Sequence, residues 1–289
     1  MFVPSFFCIF ARFFLIMEMK KRLIYLFIMA ICLASCSKYE KLRKSTDYQL
    51  KYRKAFEYYH VGDFVRSGQL FDDIFHAFRV TNKADTVAYY RAMSYFKQKD
   101  YLTASHYFSQ HYRDQKQSPF AEECEFLTGY CFYMLSPRAE LDQSNTYASI
   151  ELFQLFLVKY PKSKFADEAK QYLVEMKDKL VDKSYLTARL YYNLEQYKAS
   201  ITSLNNSLDD YPDTKYREEL MYWLLRSSFL LAENSVPAKK LERFQAALDE
   251  YYSFIGEFPE SKHAKDAQRM YERSDRYLKA RASGEEDDE

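Results

Sequence analysis

Five windows of twenty residues align without gaps along the chain, and this internal repetition constrains the fold more than any single motif does. The windows are GDFVRSGQLFDDIFHAFRVT (62–81), KDYLTASHYFSQHYRDQKQS (99–118), SNTYASIELFQLFLVKYPKS (144–163), EQYKASITSLNNSLDDYPDT (195–214) and ERFQAALDEYYSFIGEFPES (242–261). Four of the five place an aromatic residue third, Thr146 being the exception, and all five place a small residue three positions later. Large apolar residues follow four and eight positions after the small one. Steps of three and four residues put all these side chains on one stripe of an α-helix.

Every window closes on a hydroxyl residue, and in the last three this residue follows an aromatic-proline pair, as in Tyr211-Pro212. Proline ends a helix because it lacks an amide donor and restricts the residue before it. The hydroxyl can then cap the next helix, and carboxylates such as Glu218 and Glu219 follow in its first turn. The closing residues are Thr81, Ser118, Ser163, Thr214 and Ser261.

A second repeated pattern lies before each window and predicts a partner helix. Small residues recur there, each followed three positions later by a large apolar residue, as in Ala55 and Tyr58 or Ala92 and Tyr95. Paired helices with these small and aromatic columns are typical of tetratricopeptide repeats. The sequence therefore predicts an all-α fold, a superhelix (solenoid) of about five tetratricopeptide-like helix-turn-helix repeats.

The repeats are longer than the usual 34 residues, since their closing hydroxyls are spaced 37, 45, 51 and 47 residues apart. The extra length is assigned to three places: a lengthened turn over 135–145, a long first helix over about 164–194, and a polar turn over 232–240. The acidic end of the chain, 279–289, is predicted to be a disordered tail.

A bacterial export signal precedes the repeats. The segment MKKRLIYLFIMAICLASC has a basic start, an apolar run of about eleven residues and small residues before Cys36. That run is shorter than the roughly 20 residues that span a bilayer. Leu33-Ala34-Ser35-Cys36 resembles the lipobox of bacterial lipoproteins, in which the cysteine is acylated after cleavage. The prediction is a signal peptide over 1–35 with a true start at Met19, a lipid at Cys36 and a linker over 36–47. An uncleaved anchor or an ordinary signal peptide is the alternative.

The composition excludes several classes of function. From Cys36 onward the charges of 38 basic and 40 acidic residues nearly cancel. The chain therefore lacks the excess of positive charge that is typical of nucleic-acid-binding proteins. The five histidines have no HExxH spacing, no Cys-x-x-Cys accompanies them, and no phosphate-binding glycine loop is present. His106 and His111 are expected to be partly exposed, and Cys124 and Cys131 to be small apolar residues on one helix face. We expect no catalytic residues, no metal, no cofactor and no small-molecule substrate.

A surface remains as the candidate site. The first helix of each pair lines the concave side of such an array, a usual place for peptides to bind. The residues expected to face this groove are Tyr52, Phe56, Tyr59, Tyr89, Met93 and Phe96. Aromatic and methionine side chains suit adaptable binding of apolar peptide residues. Packing between repeats is the alternative role for each of them.

The order of these features resembles the BamD family, lipoproteins of the outer-membrane β-barrel assembly machinery. The stretch YCFYMLSPRAELDQSNTYASIELFQLFLVKYPKSKFADEA (130–169) and the later DYPDTKY carry the likeness, together with the lipobox. The resemblance implies a lipid-anchored protein on the periplasmic face of the outer membrane. It implies binding of unfolded outer-membrane proteins by N-terminal repeats (48–163), and of the POTRA region of a BamA-like barrel protein by C-terminal repeats (164–278). The family's closing proline is absent from the first repeat, where Arg79 stands, and from the second, where Lys116 stands.

Two other functions are compatible with the sequence. One is a different periplasmic tetratricopeptide lipoprotein scaffold, acting in the cell envelope or in division. The other is a SusD-like glycan-binding lipoprotein, although such proteins are usually about twice as long.

Overall fold

The computed structural model describes residues 38–283, and every regular element within them is an α-helix. The helices are α1 (38–44), α2 (Tyr48–His60), α3 (Phe64–Phe78), α4 (Ala84–Lys97), α5 (Tyr101–Asp114), α6 (Ala121–Leu135), α7 (Ser144–Lys159), α8 (Ala166–Asn193), α9 (Tyr197–Asp210), α10 (Arg217–Glu233), α11 (Pro237–Glu257) and α12 (Ala264–Ser283). Neighbours in sequence pack on one another from α2 to α5 and from α7 to α12. Short turns between packed helices make them antiparallel hairpins. The predicted all-α class built of helix-turn-helix pairs is confirmed.

The turns inside three of the pairs share one backbone geometry. Gly62, Lys99 and Glu195 have φ of 84°, 63° and 57°, the left-handed conformation that closes a helix. At the second turn the Lys99 amide donates to the Phe96 carbonyl (2.9 Å) and the Asp100 amide to the Tyr95 carbonyl (3.1 Å). The same two hydrogen bonds recur at the other two turns. This is the Schellman motif, which satisfies the last carbonyls of one helix before the next begins.

The turns between pairs use the closing hydroxyls that the sequence singled out. At each of them the hydroxyl oxygen accepts the amide two residues later, for example from Tyr216 to Thr214 at 3.2 Å and from His263 to Ser261 at 3.0 Å. The same bond forms at Thr81, Ser118 and Ser163. The regular helix begins three residues after the hydroxyl, so the residue caps a tight turn that leads into the helix. The hydroxyls therefore stabilise the turn, whereas the N-cap residues of α4, α8 and α10 are Lys83, Phe165 and Tyr216, which make no side-chain cap bond, so the prediction that the hydroxyls cap the helices themselves is wrong.

The column of small residues lets paired helices approach closely. Ser67, Ser149 and Ser200 are fully buried. The Ser67 hydroxyl donates to the carbonyl of Ala55 (3.0 Å), and the Ser149 hydroxyl to the carbonyl of Gly129 (3.1 Å). The short serine side chain therefore brings its hydroxyl into direct contact with the backbone of the partner helix. Large apolar residues of the same stripe, Phe71, Phe108, Phe153 and Leu204, are also fully buried.

Several predicted boundaries differ from the structure. Residues 38–44, assigned to a linker, form helix α1, whose Tyr39 is buried against α3. Residues 279–283, assigned to a disordered tail, complete α12. The polar turn expected over 232–240 is only three residues long, because Pro237 starts α11 at the one helical position where its missing amide costs nothing. Helix α8 matches the long helix predicted from the absence of proline and glycine.

The chain divides into two compact units, whose described parts are 38–125 and 126–283. The first has a core of Leu70, Phe71, Ile74 and Val87, which Tyr39 and Phe78 complete. The second has one cluster around Leu204 and Leu220 and another around Leu225, Phe244 and Phe254. The functional division predicted at 163/164 concerns binding partners and stays a prediction.

Candidate polypeptide-binding surface

The predicted lipid attachment residue, Cys36, lies outside the described residues, as does the signal peptide assigned to 1–35. The described chain starts two residues after Cys36. The acylation therefore stays a prediction from the sequence.

Helix α2 places three predicted groove residues along one face, at steps of four and three. Tyr52, Phe56 and Tyr59 are each partly exposed. The rings of Tyr52 and Phe56 are in contact at 5.0 Å, and Tyr52 also stacks on Phe78 at 5.4 Å. Phe56 and Tyr59 meet the ring of Tyr90 from α4 edge to face, at 4.8 and 5.0 Å. The structure thus brings these residues together as one wall between α2 and α4.

Helix α4 supplies the other three predicted residues, and they do not form a single patch. Tyr89 is buried and stacks on Phe120 at 4.2 Å. Phe96 is partly exposed and contacts Tyr101 and Phe108. Met93, which lies between Tyr89 and Phe96 in the sequence, is also partly exposed. The five aromatic residues among the six therefore pack on other rings, and all six except Tyr89 keep some accessible surface.

The phenols of this region are held neutral. Burial, followed by the charge of Glu123, raises the pKa of Tyr89, which also hydrogen-bonds to that carboxylate. Burial, with Tyr90 and Glu123 as lesser causes, raises the pKa of Tyr59 to about 12. A neutral phenol offers an aromatic face and a hydroxyl donor, so the surface is built for apolar and hydrogen-bonding contacts rather than for ion pairing or proton transfer.

Tyr90 is the member of this surface that sequence reasoning missed. It contacts four aromatic rings, those of Phe56, Tyr59, Phe71 and Tyr89. The predicted stripe through Tyr52, Phe56 and Tyr59 faces the next first helix along the chain, so the equivalent stripe in α4 also faces forward. A residue facing back toward α2 must lie about 100° around α4, which is one position after Tyr89. The two adjacent tyrosines, Tyr89 and Tyr90, were the sequence feature from which a second aromatic residue facing α2 could have been predicted.

Cys124, His111 and Asp85 meet in the interior of the first unit, a combination that invites comparison with a nucleophilic site. Burial, with Glu123 and Asp85 as further causes, raises the pKa of the Cys124 thiol far above neutrality. The thiolate is the nucleophile, so this cysteine is inert. His111 is buried, with Nε2 2.7 Å from Asp85 Oδ1, which corrects the expectation of partial exposure. Its place in the repeat explains the burial, because residue 111 comes seven after the small Ala104 and lies on the same helix face.

In the second unit, tyrosines and carboxylates link successive first helices. The Tyr133 hydroxyl donates to Glu175 (2.5 Å), that of Tyr185 to Glu219 (2.6 Å) and that of Tyr222 to Asp266 (2.7 Å). The partners come from α6 and α8, from α8 and α10, and from α10 and α12. Hydrogen bonding to the phenol lowers the pKa of Glu175 and of Glu219. These phenol–carboxylate pairs join the successive first helices α6, α8, α10 and α12.

Stacked rings accompany two of these pairs. Tyr185 stacks on Tyr216 at 4.1 Å, and Tyr222 on His263 at 3.8 Å. Burial, followed by the charge of Lys262, lowers the pKa of His263, so its ring is neutral at pH 7. Arg226 donates to the Tyr222 hydroxyl (2.8 Å). The result is a surface of stacked rings and hydrogen-bonded phenols.

Two further properties of the described residues bear on other functions. Between residues 38 and 283, no group of three or more histidine, cysteine or carboxylate side chains is arranged to hold a metal ion. Within the same stretch no helix is both long and apolar enough to cross a membrane.

Comparisons with known proteins identify a family, and the similar proteins include a curated relative and a solved structure. The family model described as "YfiO: Outer membrane lipoprotein" matches residues 44–243. The outer membrane protein assembly factor BamD of Rickettsia prowazekii (strain Madrid E) is 27% identical over 106 residues, which is 37% of this chain and 42% of that protein. The solved TPR2AB-domain:pHSP90 complex of yeast Sti1 has a TM-score of 0.35 and 12% identity over 79% of this chain and 98% of that one.

Proposed function

The chain belongs to the YfiO family of outer membrane lipoproteins, and from this membership we propose that it is a non-enzymatic scaffold for outer-membrane β-barrel assembly. The family resemblance predicted from the sequence is confirmed. In this role the protein holds other polypeptides while they fold and insert. It is anchored to the periplasmic face of the outer membrane by acyl chains on Cys36.

The observation that carries the proposal is the extent of the family match. Residues 44–243 run from the end of α1 into α11, so the match covers the first surface and the part of the second that lies on α8 and α10, but not α12. The curated relative is an assembly factor by name, and the aligned part spans less than half of its length. Assembly activity in this chain is therefore inferred from the family together with its surface chemistry.

The first unit suits unfolded outer-membrane proteins. Their β-strands alternate apolar and polar residues, and their last strand commonly ends in an aromatic residue. The wall of Tyr52, Phe56, Tyr59 and Tyr90 offers aromatic faces with neutral hydroxyls, which can contact such side chains in more than one register. Weak and adaptable contacts fit a protein that must release its client.

The second unit suits a folded partner. The phenol–carboxylate pairs hold α8, α10 and α12 in fixed positions, and a rigid surface loses little entropy on binding. We assign the POTRA region of a BamA-like barrel protein to this side, from about Lys183 onward. The proposal separates the two tasks: a permanent partner on one unit and transient clients on the other.

Depletion of the protein in its native host tests the overall role. The amounts of outer-membrane barrel proteins should fall, with their unfolded forms accumulating in the periplasm, while lipoproteins without barrels stay at normal levels. Unchanged barrel levels would reject the assembly role. Affinity purification from native membranes adds a second readout, since recovery of other envelope proteins without a BamA-like barrel would favour the general scaffold.

Site-specific photocrosslinking tests the client surface. A photoreactive amino acid at Met93, which is partly exposed on α4, should trap nascent barrel proteins. The matched control is Val80, which is 94% exposed in the turn between α3 and α4. Equal yields at the two positions would contradict a client site on the first helices.

A further inference from the structure

Two turns of the first unit lie side by side and form one edge of it. The side-chain amide of Gln98, at the end of α4, donates to the carbonyl of Phe64, at the start of α3, over 3.0 Å. The turn joining α2 to α3 (61–63) therefore sits next to the turn joining α4 to α5 (98–100). We refer to these two turns and the first residues of α3 and α5 as the turn edge.

The turn edge exposes aliphatic side chains that the repeat does not require. Val61 is 78% exposed, Val65 53% and Leu102 66%. None of these positions belongs to the small or aromatic columns that build the core. An edge that carries several exposed large aliphatic side chains is suited to contact with an apolar phase.

The predicted lipid attachment point is close to the same edge. The Tyr39 hydroxyl lies 2.8 Å from Gln69 Oε1 and 3.2 Å from the Arg66 carbonyl, both in the first turns of α3. Tyr39 is buried and meets the ring of Tyr58, near the end of α2, edge to face at 5.7 Å. Cys36 is three residues before Tyr39, and three residues span at most about 11 Å. The predicted acyl chains are therefore tethered only three residues from Tyr39, whose hydroxyl contacts the first turns of α3.

The charges around the edge complement an anionic surface. Lys38, Lys41, Lys97 and Lys99 are exposed. Two carboxylates in the turns themselves are engaged, Asp63 with the backbone amide and guanidinium of Arg66 and Asp100 with the amide of Thr103, and Glu40 is exposed between Lys38 and Lys41. Basic residues beside a lipidated terminus add to membrane affinity, because anionic phospholipids attract them across the interface.

We propose that the turn edge is a membrane-contact surface, with Val61, Val65 and Leu102 seated among phospholipid headgroups beside the acylated Cys36. The inference rests on the acyl anchor of the proposed function. It adds an orientation: α2 to α5 stand on the membrane by one end, with the opposite end, around Val80, pointing away. Contact of the turn edge with the membrane, added to the lipid anchor, holds the client surface at a fixed distance from the membrane. A lipid on a free linker would not fix this distance.

Depth-dependent fluorescence quenching tests this orientation. The mature lipoprotein is labelled with a maleimide fluorophore after Val65→Cys, Leu102→Cys or Val80→Cys, and placed in vesicles of phosphatidylethanolamine and phosphatidylglycerol with nitroxide-labelled lipid. Cys124 and Cys131 are fully buried and stay unlabelled. Quenching at positions 65 and 102 should be several-fold stronger than at 80. Replacing phosphatidylglycerol by phosphatidylcholine should reduce it, because the lysines lose their counter-charge.

The outcomes separate this inference from the proposed function. Equal quenching at 65 and 80, in a protein that floats with the vesicles, overturns the membrane contact and leaves the scaffold role intact. Quenching at 65 that requires an added partner protein also overturns it, in favour of a protein interface. A protein that does not float with the vesicles lacks the acyl anchor, which overturns both this inference and the anchored location. The amounts of outer-membrane barrel proteins after depletion then test the assembly role independently.

Discussion

Glu195 occupies a backbone position that suits glycine. Its φ of 57° closes α8, and Gly62 closes α2 at φ 84° with the same pair of hydrogen bonds. A left-handed conformation costs a residue with a Cβ about 1 kcal/mol or more. Glu195→Gly should therefore raise the free energy of unfolding by about 1 kcal/mol, measured by urea denaturation. Gly62→Ala is the reverse control and should lower it, and a Glu195→Gly variant that is destabilised would contradict this account.

The residue after each of these positions decides how well the next helix starts. Asp63 and Asp100 accept the amides of Arg66 and Thr103 with their carboxylates, whereas Gln196 makes no such bond at the start of α9. Gln196→Asp should supply the missing cap and stabilise the protein by about 1 kcal/mol. Thermal unfolding followed by circular dichroism checks it. Gln196→Ala should change little, since there is no side-chain cap bond to lose.

At the scale of the helix pair, Gly129 of α6 lies against α7, where the Ser149 hydroxyl donates to its carbonyl. A Cβ at Gly129 would stand 3.0 Å from the Phe153 ring, which is fully buried and cannot retreat without disturbing its neighbours. Gly129→Ala should cost about 1–3 kcal/mol of stability through this overlap. A Cβ added at Gly256, in α11, would meet no atom within 4 Å, so Gly256→Ala should instead stabilise by up to about 1 kcal/mol. Opposite signs in denaturant titrations support the packing; equal signs would refute it.

The link between α6 and α8 depends on a charged carboxylate. The phenol of Tyr133 lowers the pKa of Glu175 below its ordinary 4.5. The unfolded chain therefore takes up this proton first, so the stability contributed by the pair is lost as pH falls below about 4.5. Tyr133→Phe should lower the melting temperature at pH 7, and its deficit against the wild type should shrink in acid. With Glu175→Gln as background, the deficit should not vary with pH; a deficit constant with pH in the native background would rule out the carboxylate's role.

Helix-scale features were the most predictable from the sequence. The small and aromatic columns, the proline stops and the long α8 are local or periodic patterns, so they were visible without any tertiary information. Tyr90, His111 and Pro237 were misjudged or missed for a different reason: their roles depend on which neighbour each helix face meets. The groove residues Tyr52 to Phe96 were placed on the correct helices. Their contacts with one another could not be predicted, because they depend on which face of α4 meets the preceding first helix and which meets the following one.

On the scale of the whole molecule, an array of helix pairs leaves an apolar face at its last pair, and something must cover it. Helix α12 does so in the second unit. Ala267 and Met270 are buried against α10 and α11, and Tyr277 and Leu278 pack partly on the same cluster. The outward side of α12 is highly charged, which is typical of a terminal capping helix.

Truncation after His263, which removes α12, should expose this cluster. The loss of one methionine and several partly buried side chains should cost at least about 3 kcal/mol, because each large apolar side chain contributes roughly 1.5–3 kcal/mol when buried. The variant should melt at a lower temperature and bind a hydrophobic dye in the native state, whereas truncation after Ser283 should change neither property. If both truncations behave like the full chain, the second unit closes without α12, and its partner surface from Lys183 onward would be confined to α8 and α10.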